Sequence, residues 1–232
     1  MMMTIAVVLA VSGALIAGAA WGIYGTLPEG LEGFIVALAG GALIFSVVLE
    51  LVEPAVRDLH LLLVALVVLT GAMVFAGLDR LVKAKARNSG GAGLLVAITL
   101  DGVPENLALG VALIGAGPLH VAALSGSIFL SNLPEAAGGA KEMSEGGRSN
   151  GKVFALWGAT AVLLSVAALA GNFLLAGAPA ALLAAIKCFA GGAVVSSLAT
   201  EVFPQAFAKD SYQAGIATAL GLVLAVSLDH LA

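Results

Sequence analysis

The chain has 232 residues, 61% of them hydrophobic and 10% charged, with a formal net charge of −4, where a soluble domain carries about 25% charged residues. With a mean hydropathy of +1.11, that balance excludes a soluble globular domain and a basic nucleic-acid surface, because so much apolar surface needs lipid to cover it. The runs are continuously apolar rather than alternating in period two, which predicts membrane-crossing helices and not a β-barrel.

Polar and Gly/Pro breaks divide the chain into eight predicted spans, at about 4–24, 30–52, 59–78, 90–115, 118–143, 153–175, 179–204 and 211–231. They make one polytopic domain over residues 1–232, with no soluble unit left over. The first span opens on "MMMTIAVVLAVSG", which lacks a basic leader and reads as a membrane helix rather than a cleaved signal peptide. The second ends in "FSVVLELVEPA", with Glu50 and Glu53 ahead of Pro54. After the third comes the basic stretch "DRLVKAKARNSG". The fourth holds "LDGVPENLALG", with Asp101, Pro104 and Glu105, and the fifth "FLSNLPEAAGG", with Ser131, Asn132, Pro134 and Glu135. "KEMSEGGRSNGK" leads to a sixth span without acidic residues, and the seventh ends in "SLATEVFPQA", with Glu201 and Pro204. Cys188, the lone cysteine, has no intramolecular disulfide partner.

Basic residues set the expected orientation. With the N-terminus outside, Arg80, Lys83, Lys85, Arg87, Lys141, Arg148, Lys152 and Lys209 fall on the inner side and only Arg57 and Lys187 on the outer. This predicts a plasma-membrane protein with both termini outside. His60, His120 and His230 then lie near the outer face, where an amphipathic ring suits the headgroup region and needs no metal to explain it.

A charge at the bilayer centre costs ~2.5–3.5 kcal/mol even on lenient scales, so such residues face a protein interior or an aqueous path. Glu53 reads as a solvated helix end. Asp101 and Glu105 are four apart, as are Ser131 and Glu135, so each pair projects from one helix face. Pro104 and Pro134 free the carbonyls of Leu100 and Leu130, and Pro54 and Pro204 those of Glu50 and Thr200. Proline-broken helices with bare carbonyls beside carboxylates suggest a cation path near the midplane. Internal repetition points the same way. "ITLDGVPENLALG" aligns with "IFLSNLPEAAGGA" at offset 30, and "GGALIFSVVLE" with "GGAVVSSLATE" at offset 151. Both pairs join helices of opposite direction, the inverted elements that alternating access needs.

These residues resemble the ZIP family of divalent metal permeases. Its fourth and fifth helices often read His-Asn-x-x-Glu-Gly and His/Gln-x-x-Pro-Glu and hold a binuclear zinc site. Asp101, Gly102 and Glu105 occupy the first motif here, and Ser131, Asn132 and Glu135 the second. Helix 2, with Glu50 and its Glu-x-x-Glu-Pro ending, and helix 7, with Thr200-Glu201 where His-Glu is common, also match. The resemblance implies an eight-helix, all-α metal permease with no prosthetic group, whose metal ligands are Asp101, Glu105, Ser131, Asn132, Glu135, Glu201 and Glu50. It departs from the family in having no pore histidine, no His-rich loop between spans 3 and 4, and Asn106 in place of Gly. Oxygen-only ligands suit Mn²⁺, Mg²⁺ or Fe²⁺ as well as Zn²⁺, so zinc comes from the resemblance alone. The lipid bilayer and the metal ion are the expected partners, and a homodimer is open to the chain. Two rivals remain: a cation/Ca²⁺ exchanger-like antiporter, suggested by "SNLPEAAGG", and a non-transporting scaffold or sensor that kept the fold. No phosphate loop or nucleophile constellation points to an enzyme.

Overall fold

The computed structural model describes residues 2–26, 28–86, 91–116 and 121–231. Every regular element among them is helical. In chain order these are α1 (Met2–Tyr24), α2 (Glu29–Ser46), a π-helical segment (Val47–Val52), α3 (Ala55–Asp58), α4 (Leu61–Ala86), α5 (Gly91–Ala112) and α6 (Ala122–Glu145). They are followed by α7 (Asn150–Phe173), α8 (Ala180–Ser197), a second π-helical segment (Leu198–Val202), α9 (Phe203–Lys209) and α10 (Ser211–His230). Helices α2 and α3 join through the first π segment into one rod over 29–58. Helices α8 and α9 join likewise into a second rod over 180–209.

Among the described residues, six helical stretches are long and apolar enough to cross a membrane: Met2–Tyr24, Gly30–Asp58, Leu61–Ala84, Asn150–Phe173, Ala180–Lys209 and Ser211–His230. Their outer surfaces carry large apolar side chains, such as Leu66, Leu69 and Met73 on α4 and Ile216, Leu220 and Val223 on α10. Such faces belong against lipid, as in a multi-pass membrane protein.

Proline acts differently from the sequence expectation. Pro104 and Pro134 lie inside helices that continue through them, so α5 and α6 are not broken. The changes of register come ahead of Pro54 and Pro204, where Glu53 N–H donates to the Val48 carbonyl at 2.8 Å and Phe203 N–H to that of Leu198. A five-residue bond widens the turn, accommodates a residue that lacks a donor and commonly marks functional sites.

Packing follows small residues. Helix α1 lies along α6 and α7, α5 along α7, α10 along α2, and α4 along α8. Gly41 sits against the Thr218 carbonyl, and Gly192 against that of Val68, with no room for a Cβ at either glycine. Two more crossings, Gly71 on the Phe189 carbonyl and Gly221 on that of Leu38, are equally close. The members of these contacts correspond at offsets of 150 or 151, so α2 crosses α10 as α8 crosses α4. The rods also touch, α2 on α9 and α8 on α3, which places the start of each beside the end of the other.

Candidate functional site

Between the rods and helices α4, α5 and α6 is a narrow cavity of about 20 Å³, roughly the room of one water-sized sphere. Asp101 and Glu105 reach it from α5, Ser131, Asn132 and Glu135 from α6, and Ser197 from α8. The i, i+4 spacing does this work, since it stacks both carboxylates of α5 one turn apart on a single face. Gly102 lets the leucine side chain of Leu164 press in behind them, where a Cβ would collide with it. Leu43, Phe75 and Val194 close the apolar remainder.

Glu105 is 8% exposed, Ser131 5% and Asn132 3%, so these groups meet little solvent even at the cavity. Asn132 Nδ2 donates to the Val11 carbonyl at 3.3 Å, tying α6 to α1, and Ser131 Oγ donates to the Ile128 carbonyl at 3.0 Å. Both residues keep a lone-pair oxygen for another donor or a cation. Asp101 lies within hydrogen-bonding reach of Glu201 and the Ser197 hydroxyl, and it faces Glu135 electrostatically, while one of its oxygens is buried without a partner. Glu105 faces Asp101, and Glu135 faces both Glu105 and Glu201. Three carboxyl groups, Asp101, Glu105 and Glu135, thus share one cavity wall with Glu201 beside Asp101, and none of the described side chains lining the cavity is basic.

A cation stands beyond Glu201. Lys83 Nζ lies 2.9 Å from Glu201 Oε1 and 2.9 Å from Asp79 Oδ2, so one ammonium holds α4 to the second rod. Glu50 lies apart from the cavity. Its Oε1 accepts from Leu124 N at 3.1 Å in the first turn of α6, and its charged neighbours are Asp229 and Lys187. Of the seven expected ligands, five therefore line the cavity, Glu201 adjoins it through Asp101, and Glu50 does not reach it. Among the described residues, no three His, Cys, Asp or Glu side chains converge closely enough to hold one ion.

No protein-family model matches the chain. Curated proteins give no match either. Asn106, the departure noted above, is fully buried, and its Nδ2 donates to the Gly102 carbonyl at 2.9 Å. It braces α5 from behind and is not among the residues lining the cavity. His60 and His230 are exposed at helix ends, and His120 lies outside the described residues.

Three participants were missed in the sequence: Ser197, Asp79 and Lys83. Ser197 carried a signal, because Ser46–Glu50, Ser131–Glu135 and Ser197–Glu201 share the four-residue spacing of Asp101–Glu105. Asp79 and Lys83 stood in a stretch that reads as solvated loop charge, and nothing local marks their partner Glu201.

Proposed function

We propose that this chain carries divalent metal cations across the membrane, as a divergent ZIP-type permease whose ligand set is built from oxygen. The observation that carries this reading is the row of carboxylates Asp101, Glu105 and Glu135 around a cavity the size of a small ion, with no basic side chain on its wall. Uncompensated carboxylates in an apolar setting are costly, and a divalent cation would compensate two of them at once. Ser131 and Asn132 add neutral oxygens, a donor mixture that suits hard and borderline ions.

An eight-span plan with inverted halves fits the packing. Exchanging α1 with α7, the first rod with the second, α4 with α10, and α5 with α6 matches the largest helix contacts to one another, α1 on α6 with α7 on α5 and α2 on α10 with α8 on α4. The offsets of 30 and 151 between sequence segments support the same pairing. Such a pair of inverted halves gives a central site two equivalent routes. The distribution of basic residues supports an orientation with both termini outside a plasma membrane.

Uptake into proteoliposomes across a panel of Mn²⁺, Fe²⁺, Zn²⁺, Mg²⁺ and Ca²⁺ tests the reading. Saturable flux is expected for at least one transition-metal ion, and Glu105→Gln and Glu135→Gln each abolish it without unfolding the protein. Full uptake by Glu105→Gln at limiting metal would remove that carboxylate from the site. Sodium-dependent Ca²⁺ flux would favour the exchanger, and metal binding without flux the scaffold.

A further inference from the structure

Helix α4 and the second rod run side by side in the same direction, and one register fixes which residues meet. Gly71 lies on the Phe189 carbonyl, Phe75 and Ala193 both line the central cavity, and Lys83 Nζ contacts Glu201 Oε1; each of these pairs stands 118 positions apart. The same register sets Asp79 level with Ser197. Phe75, Asp79 and Lys83 follow one another at four-residue spacing, so they form a file on one face of α4. Exposure grows along it, from 2% at Phe75 and 6% at Asp79 to half at the Lys83 side chain. The file thus leads from the cavity to the surface, which it reaches in the last turn of α4.

An ammonium closes that file. Lys83 Nζ lies 2.9 Å from both Asp79 Oδ2 and Glu201 Oε1, so one positive charge sits between two carboxylates that a cation moving between the cavity and this surface has to pass. Oxygens are left over. Asp79 Oδ1 and Asp101 Oδ1 are both buried without a partner, and Asp101 reaches Glu201. Withdrawing the ammonium alone strands buried carboxylate charge, which is strongly unfavourable. A divalent ion arriving from the cavity offsets that loss, since it brings twice the charge and takes more oxygens than an ammonium has N–H donors. At offsets of 150 and 151, Asp79 and Glu201 correspond to Asp229 and Glu50, which feel each other electrostatically. Among the described residues neither Asp229 nor Glu50 is in an ion pair, so only one of the two corresponding ends carries such a contact.

We propose that Lys83 is a tethered cation that plugs the cavity on its basic side: its ammonium holds the place of an ion between Asp79 and Glu201, and a metal passes there only by displacing it. As a plug for metal, Lys83 rests on the transport reading; as a barrier to the cavity, it rests on the contacts of α4 with the second rod. The lysine stem suits the role, because half of the side chain is already in the open and the ammonium can swing outward without moving a helix.

Two measurements on purified full-length protein in nanodiscs test this. One is the rate of thiol labelling of Ala193→Cys, on the cavity wall, in a Cys188→Ala background; the other is Mn²⁺ affinity by electron paramagnetic resonance. If the plug is closed about nine-tenths of the time, Lys83→Gln should speed labelling and tighten Mn²⁺ binding about tenfold each. Lys83→Arg, which keeps charge and reach, should stay near the parent in both. Arg80→Gln removes an exposed charge from α4 outside the file and should change neither. Unchanged labelling in Lys83→Gln, or an equal gain from Arg80→Gln, overturns the plug. A general loosening would also speed labelling of Ala217→Cys, which is 0% exposed between α10 and α2, and that outcome overturns it as well. Mn²⁺ bound by the parent and by Lys83→Gln with labelling unchanged leaves the transport reading standing without the plug. Labelling sped by Lys83→Gln at position 193 alone, with no Mn²⁺ bound by any variant, shows that Lys83 bars the cavity and counts against metal transport.

Discussion

On the proposed metal-transport reading, Asp101 is the residue on which selectivity turns. It faces Ser197, Glu201 and Glu135 from the cavity wall, at the place where the resembled family commonly has histidine. A carboxylate offers hard oxygen, whereas imidazole nitrogen favours borderline ions. Asp101→His should therefore raise the Zn²⁺/Mn²⁺ uptake ratio several-fold in liposomes, and an unchanged ratio would make Asp101 a structural carboxyl instead. Protons compete with metal for the same oxygens, so lowering pH from about 7.5 to about 5.5 should reduce uptake in the parent more than in Asp101→Asn. Much of this site was legible, because a carboxylate inside an apolar run is rare enough to read without an alignment. Glu50 lies away from the cavity for a physical reason. Its spacing repeats that of Glu201, but only the second rod turns its carboxylate toward α5, while Glu50 caps the start of α6.

At the level of elements, the helical character and six of the expected membrane spans were visible, and the way proline is absorbed was not. Prolines were expected to break α5 and α6, yet those helices persist and the strain appears as π turns before Pro54 and Pro204. Nothing in single-sequence pattern distinguishes a proline within a helix from one behind a wide turn, since both forfeit the same donor. Helix crossings were equally hidden, although "GG" in each rod marked where backbones meet. Gly41→Val should clash with the Thr218 carbonyl and cost at least about 1–3 kcal/mol. That lowers the unfolding midpoint in detergent by roughly 3–10 °C. Gly215→Ala on the facing helix has open space around it and should leave the midpoint unchanged or slightly higher. Equal behaviour of the two variants would show that the crossing tolerates a side chain and is looser than described.

For the whole molecule, direction is the property that packing alone does not supply. If the halves are inverted as proposed, the bundle looks alike from either face, and the asymmetry must come from charge. The end carrying Lys83, Lys141, Arg148, Lys152 and Lys209 holds most of the Lys and Arg residues, and loops rich in Lys and Arg stay on the cytoplasmic side during insertion. The opposite end keeps Arg57, paired with Glu53 at 3.3 Å, and Lys187, half-buried between the rods. Ser149, just before α7, and His60, just before α4, are exposed at opposite ends. In intact cells bearing the Cys188→Ala chain, an impermeant thiol reagent should label His60→Cys promptly and Ser149→Cys only after the membrane is opened. The reverse pattern would invert the protein in the membrane: Glu50 and Asp229 would then face the cytoplasm, and the Lys83-bridged carboxylates would become the outer approach to the site.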